Sequence, residues 1–317
     1  MKHLTVRGCF EAFDISRIVL GTGSAMKSLS KKQVFAVFDA YASKGGNVFD
    51  TAPGYCGGDS ERYIGEWIRL HDCRRQMHIS TKACHAFAGE PSRLTLEDML
   101  TDLDLSLSQL QTDYIDLFWL HNDDPAVPVE SIIDAVNAVV ATGKVRAIGC
   151  SNWSTDRIAA ANAYAKANGL HGFWANQIQW SLARVTSRDY IDRYNVLVMD
   201  DDAYQWYLEN DIAVFAFSSM AQGFFSVGAA KGIEGVREEI RRFYENEGNL
   251  QRLARVRAYM SLHDVPASVP VLGYLINNRL PCVAITSGKT PEVILETMKA
   301  ADWEMSVEET DQLFNGK

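Results

Sequence analysis

Short apolar runs rich in β-branched and aromatic residues alternate along this chain with longer segments whose apolar positions recur at helical spacing. That alternation is the pattern of repeated strand–helix units. Eight strands are expected, at residues 17–21, 46–50, 77–81, 114–120, 145–149, 173–177, 212–217 and 282–285. The helices between them are marked by periodicity and by their ends. Val129, Ile132, Ile133, Val136, Val139 and Val140 lie three and four apart, after Pro128 and before Gly143, which would supply a left-handed cap. Thr95 with Asp98 resembles a capping box ahead of Met99, Leu100, Leu103, Leu107 and Leu110, and Ser60 is placed to cap the helix that carries Tyr63, Ile64, Trp67 and Ile68. Eight such units in series, with no Pro/Ser-rich linker and no shift of composition, predict an α/β fold of one (β/α)8 TIM barrel over residues 1–317. The competing architecture is a doubly wound sheet, which Gly21-Thr22-Gly23-Ser24-Ala25-Met26 after the first strand invites. That run lacks the third glycine of G-x-G-x-x-G, and Asp39 and Asp50 are the only acids near the ribose position. Two segments are longer than barrel turns require, 181–200 after the sixth strand and 218–249 after the seventh, and long loops on the C-terminal face of a barrel build its site.

Composition narrows the function classes. With 317 residues and 47% of them apolar, the chain can bury a large core. Lysine and arginine total 31 against 40 acids, a net charge of −9, so no broad basic face is expected and nucleic acid is not an expected partner. Six cysteines without C-x-x-C spacing suit a reducing, cytoplasmic setting rather than a disulfide framework. Residues 1–8 carry no apolar signal core and no apolar run approaches the roughly 18 residues that cross a bilayer, so neither export nor a membrane is expected.

Candidate chemistry sits at the tips of the apolar runs. Asp50, Lys82 and His121 each stand at or just past the end of an expected strand, and Tyr55 lies on the loop after the second. A buried strand has little use for a charged residue at its tip unless the tip opens onto a site. A tyrosine hydroxyl, ordinarily titrating near pH 10, is a poor acid at neutral pH unless a cation favours its phenolate. Lys82 would supply that cation, Asp50 would hold the lysine charged and in place, and His121 would hydrogen-bond the oxygen that Tyr55 protonates. These four contain no redox chemistry of their own, so a hydride cofactor would complete them.

Phe49-Asp50-Thr51-Ala52-Pro53-Gly54-Tyr55, followed by Ser60-Glu61, resembles the D-T-A-x-x-Y signature of the aldo-keto reductases, with Ser80-Thr81-Lys82 and Leu120-His121 similar to its next two blocks. The resemblance implies a (β/α)8 barrel binding NADPH across its C-terminal face, with Asp50, Tyr55, Lys82 and His121 as the catalytic four. Ile148-Gly149-Cys150-Ser151-Asn152-Trp153 is similar to the I-G-x-S-N block, whose Ser and Asn bind the nicotinamide amide. Gln177 matches the next cofactor contact, and Phe217 in Ala216-Phe217-Ser218 replaces the aromatic that stacks on the nicotinamide ring. By the same likeness Thr22, Asp50, Ser218 and Met220 fall among the cofactor contacts, as do Ser287, Lys289 and Glu296 after the last strand.

The chain also departs from the pattern. Thr286-Ser287-Gly288 stands in place of P-K-S, Ser287 and Val293 fall where cations often lie, and Lys289 is the only local cation, so NADH remains open beside NADPH. Ser218-Ser219-Met220-Ala221-Gln222-Gly223 departs from S-P-L-G. Plainer readings stand beside these: Ser151-Asn152 as caps of a helix starting near Ser154, Gln177 as a strand-end amide, Phe217 as core, and the acids 123–124 and 200–202 as solvated turns or helix starts rather than metal ligands. Cys56, Cys84 and Cys150 adjoin the site blocks and suggest inactivation by thiol reagents. Trp153, Trp180 and Phe87 could wall an aromatic pocket.

The expected activity is reversible reduction of a small-molecule aldehyde or ketone, or oxidation of the alcohol. The alternative is a cofactor-binding, redox-sensing barrel with negligible turnover; a metal-dependent barrel hydrolase would need a His/Asp cluster at several strand ends, which the sequence does not offer.

Overall fold

The computed structural model describes residues 1–23, 25–86 and 90–316, leaving aside the side chain of Tyr194. Its strands in chain order are β1 (His3–Val6), β2 (Phe13–Ser16), β3 (Ile18–Gly21), β4 (Val48–Asp50), β5 (His78–Ala83), β6 (Ile115–Leu120), β7 (Val145–Ser151), β8 (Ala175–Gln179), β9 (Ala213–Phe217) and β10 (Cys282–Thr286). Strands β3 to β10 pair in parallel and close a barrel in the order β10-β3-β4-β5-β6-β7-β8-β9. All eight expected strands are present with ends displaced by one or two residues, and the closed barrel rules out the doubly wound sheet.

Side chains alternate between two cores, as the period of two along a strand demands. Ile18, Leu20, Phe49, Ile79, Phe118, Leu120, Ile148, Ile178, Val214 and Ala284 point outward and pack under the helices. Val19, Val48, Leu117, Trp119, Ala147, Ala175, Phe215 and Val283 point into the lumen and fill it. The barrel is therefore a packed core and not a pore.

The β1–β2 hairpin was not expected. It lies at the N-terminal end of the barrel, where Val6 and Ile15 complete the lumen core and the Phe13 ring sits between the His78 ring, 4.9 Å away, and the Arg146 guanidinium, 4.1 Å away. Two four-residue strands carry too short an alternation to stand out from a loop.

Several local expectations hold. Pro128 precedes the helix Val129–Ala141 and Gly143 follows it at φ 72°. Thr95 Oγ1 accepts from the Asp98 amide at 3.2 Å, the N-cap half of the expected capping box, while the Asp98 carboxylate accepts from the Thr95 hydroxyl at 2.5 Å instead of from the Thr95 amide. Asp200 caps Asp201–Asn210 by accepting from the Ala203 amide at 2.8 Å. Ser60 does not cap its helix. It lies inside Asp59–His71, whose cap position is Gly58 at φ 88°, and its hydroxyl is hydrogen-bonded to those of Thr22 at 2.6 Å and Thr51 at 2.7 Å. The long segment after β8 holds the short helix Arg188–Tyr194, and the one after β9 holds Phe224–Lys231 and Glu238–Tyr244.

Candidate active site at the C-terminal rim

Every strand-tip candidate shares the lumen-facing parity. Asp50 follows Val48 by two, Lys82 follows Ser80, His121 follows Trp119, Ser151 follows Gly149, Gln177 follows Ala175 and Phe217 follows Phe215. The site is thus the uppermost layer of the barrel interior, where the lumen opens at the C-terminal rim.

Its centre is an ion pair. Lys82 Nζ donates to Asp50 Oδ1 at 2.7 Å and to the Thr51 carbonyl at 2.9 Å, and both side chains are almost completely buried. Burial by itself would drive the lysine toward neutrality. The Asp50 carboxylate and the Tyr55 phenol oxygen together outweigh it and raise the lysine above its ordinary value, so the ammonium stays charged. Asp50 Oδ2 accepts from Ser80 Oγ at 2.8 Å and from Gln177 Nε2 at 3.0 Å, and the Trp119 indole donates to Ser80 Oγ at 2.8 Å. The carboxylate is therefore held from two strands, β5 and β8, with Trp119 of β6 bracing Ser80.

Tyr55 opens the turn Tyr55–Gly58, with its amide donating to the Ala52 carbonyl at 3.0 Å. Lys82 Nζ lies 5.1 Å from the centre of its ring, and the His121 ring stands across from it at 6.1 Å, inclined by 71°. Burial, with Lys82 and His85 nearby, holds His121 well below the ordinary histidine range, so its imidazole is neutral and offers one N–H donor. His85, which sequence reasoning passed over, sits with its ring 4.5 Å from that of His121.

The cofactor candidates divide into an inner and an outer set. Thr22 is buried, and its hydroxyl is hydrogen-bonded to the Asp50 carbonyl at 2.8 Å and to Ser60, so its side chain braces β4 instead of facing a ligand. Ser151 Oγ donates to the Gln177 carbonyl at 3.0 Å. Asn152, at φ 58°, donates through Nδ2 to Ser151 Oγ at 3.3 Å and accepts at Oδ1 from the Leu197 amide at 3.1 Å. Ser151 and Asn152 do not cap the next helix, since Ser154 does so, accepting from the Arg157 amide at 3.4 Å. Phe217, Ser218 and Met220 are half-buried at the rim, with the Ser218 hydroxyl 3.4 Å from that of Tyr190. Ser287 and Lys289 are exposed, and Lys289 Nζ lies 3.3 Å from Ser28 Oγ on the first barrel loop. Glu296 is exposed and lines a cavity of about 590 Å3 with Lys44, Leu295 and Lys299; none of the catalytic candidates lines that cavity. It does not join the others.

A carboxamide needs a donor and an acceptor together, and the amides of Asn152 and Gln177 with the Ser151 hydroxyl supply both on the tips of β7 and β8. A terminal phosphate needs a cation and hydroxyls, which Lys289, Ser28 and Ser287 present on the surface. The donor set therefore fits a nicotinamide dinucleotide.

Backbone outliers mark the same rim. Cys56, Cys84, Asn152, Ser218 and Gln222 all have φ between 51° and 64°, a conformation that costs a non-glycine residue about 1–3 kcal/mol. Trp153 and Trp180 do not wall a pocket. Both are buried, Trp153 against Phe173 and Trp180 between Tyr204 and Tyr274, and Phe87 lies outside the described residues. The thiols near the site are poor nucleophiles, because burial pushes Cys56, Cys84 and Cys150 up, away from the reactive thiolate. The acids at 123 and 124 have partners within the fold: Arg157 grips Asp123 with two hydrogen bonds of 2.8 and 2.9 Å, and Asp124 accepts from the Ala126 amide at 2.9 Å.

Comparison with known proteins adds three findings. The family model described as Aldo/keto reductase family matches residues 17–314. Among curated proteins, the chain is 35% identical over 170 residues to norsolorinic acid reductase B of Aspergillus parasiticus, covering 51% of this chain and 44% of that one, so the alignment spans less than half of that relative's length. It is 26% identical over 298 residues to an aryl-alcohol dehydrogenase of Pestalotiopsis microspora, covering 92% of this chain and 74% of the other. Among solved structures, an aldo/keto reductase from Klebsiella pneumoniae in complex with NADP and acetate superposes with a TM-score of 0.72 over 98% of this chain and 95% of the other, at 23% identity, a likeness of fold.

Proposed function

Because the chain belongs to the aldo/keto reductase family, we propose that it interconverts a small aldehyde or ketone and the corresponding alcohol, using NADPH or NADH, with Tyr55 as the proton donor. The observation that carries this reading is the buried, charged Lys82 held by Asp50 beside the Tyr55 ring. Asn152, Ser151 and Gln177 would hold the carboxamide of the cofactor, Phe217 would lie against its ring, and Lys289 with Ser28 and Ser287 would meet its phosphates. When bound, the nicotinamide supplies a hydride to the carbonyl carbon. The Tyr55 hydroxyl passes its proton to the carbonyl oxygen, and the Lys82 ammonium stabilises the phenolate that remains. Neutral His121 donates its N–H to the same oxygen and fixes which way the carbonyl points. In the oxidising direction the phenolate takes the alcohol proton. The free cysteines fit a reducing cytoplasm, and no described helix is long and apolar enough to cross a membrane.

The test titrates the protein with NADPH and NADH by quenching of intrinsic fluorescence, then follows cofactor oxidation with a panel of aldehydes and ketones, aryl compounds first because of the relatives' names. Tyr55→Phe should bind cofactor as before and lose about 10²- to 10⁴-fold in turnover, the scale of general acid catalysis. Unchanged turnover in Tyr55→Phe would overturn the proton-donor role, and cofactor binding without turnover on any substrate would leave a sensing role in its place.

A further inference from the structure

A second cavity, of about 380 Å3, lies behind the turn that carries Tyr55. Its walls are Met26 and Leu29 of the first barrel loop, Val34 and Phe38 of the helix Lys31–Ala42, and Tyr63 of the helix Asp59–His71, closed by Cys56 and Gly57 of the Tyr55 turn. None of the catalytic or cofactor candidates lines it. The volume falls within the range of small-molecule pockets, about 300–1000 Å3.

Its charges are unbalanced. Asp59, on one edge, is gripped by Arg62 through hydrogen bonds of 2.8 and 3.1 Å. Lys27, on the other, is exposed and makes no hydrogen bond or ion pair among the described residues. The net offer is one unpartnered ammonium beside an apolar wall whose open faces are the half-buried Tyr63 ring and Leu29, with the Phe38 ring wholly enclosed behind them against Phe49 and Trp67. That combination suits a flat apolar body ending in an anion.

We propose that this cavity binds a small aryl carboxylate, its ring between Tyr63 and Leu29 and its carboxylate on Lys27, at a site separate from the one that holds the carbonyl substrate. Occupation bears on the catalytic tyrosine through two contacts. Cys56 Sγ lies 3.5 Å from the Gly23 carbonyl, and the Tyr55 ring packs against Gly23 so closely that a Cβ there would stand 3.4 Å from it. The loop and the turn thus touch at Gly23 on one side of the cavity, and a ligand wedged between them tilts Tyr55. On the reading above, the ligand lowers turnover without competing with the carbonyl compound.

Benzoate is the probe and benzamide its uncharged control, followed by calorimetry and by ligand-observed NMR on the protein saturated with NADPH and on the protein alone. Benzoate should bind saturably and benzamide at least tenfold more weakly. Lys27→Ala should weaken benzoate at least tenfold, Lys27→Arg should restore it, and Tyr55→Phe should leave it unchanged. Absence of saturable benzoate binding, binding indifferent to Lys27→Ala, or loss of binding in Tyr55→Phe would overturn the proposal. The readout is binding, so it stands or falls independently of whether any substrate is turned over.

Discussion

Asp50 and Lys82 show how much a single pair can decide. Each is almost wholly enclosed, and each makes further hydrogen bonds, Asp50 accepting from Ser80 and Gln177 and Lys82 donating to the Thr51 carbonyl. An enclosed charge tolerates the loss of its partner badly, at about 3–5 kcal/mol, whereas the loss of both charges leaves no orphan. We expect Asp50→Leu to cost that amount in urea unfolding and the double variant Asp50→Leu/Lys82→Met to recover part of it, both being inactive. A double variant no more stable than the single would mean that the ammonium finds another partner. His121 makes a different residue-scale prediction. Its folded value is depressed below an unfolded value of about 6.5, so on acidification the unfolded chain takes up the proton first. The stability tied to the neutral imidazole is present above about pH 6.5 and is lost as pH falls toward the folded value. Melting temperatures between pH 7.5 and 5 should therefore fall more steeply for the native protein than for His121→Asn, and parallel curves would remove the histidine from the account.

At the scale of the element, the strands deliver chemistry at their upper ends because the layer beneath keeps its shape. Trp119 fills the middle of the lumen and reaches Ser80, which holds Asp50; a Cβ on Gly149 would overlap the Trp119 ring. Gly149→Ala should push the indole off Ser80, cost about 1–3 kcal/mol as overpacking does, and lower turnover through a loosened Asp50. Full stability with unchanged turnover would show that the indole has room to step aside. The top layer was legible in the sequence because charged residues at the tips of apolar runs are conspicuous. Ser80 and Trp119 were not, because a serine and a tryptophan within a run look like ordinary strand residues. Counting back by two from Lys82 and His121 would have found both. The outer set was legible only through likeness to a family. Glu296 stands apart from it on another cavity, a placement that depends on where the helix Pro291–Thr297 lies.

For the whole molecule, the barrel separates function from closure by placing them at opposite ends. The eight parallel strands were legible because each is a buried run with a helix behind it. The hairpin at the other end was not, since its strands are only four residues each. That hairpin nonetheless completes the lumen core and latches through Phe13, held between His78 and Arg146, both of which contact the buried Asp116 at 3.1 and 2.7 Å. Phe13 is half-buried, so Phe13→Ala removes less apolar burial than a core phenylalanine, whose loss costs about 3–5 kcal/mol. It also removes a guanidinium–ring contact of about 0.5–1 kcal/mol. We expect a loss of about 1–3 kcal/mol in urea unfolding. The lumen between the hairpin and Lys82 is close-packed with side chains that have little freedom to move, so at 25 °C the variant should bind NADPH and turn over its substrate as the native protein does. A change of more than twofold in kcat/KM at a temperature where the variant is fully folded would mean that the packed lumen transmits strain from one rim to the other, and the two ends would then have to be treated as coupled.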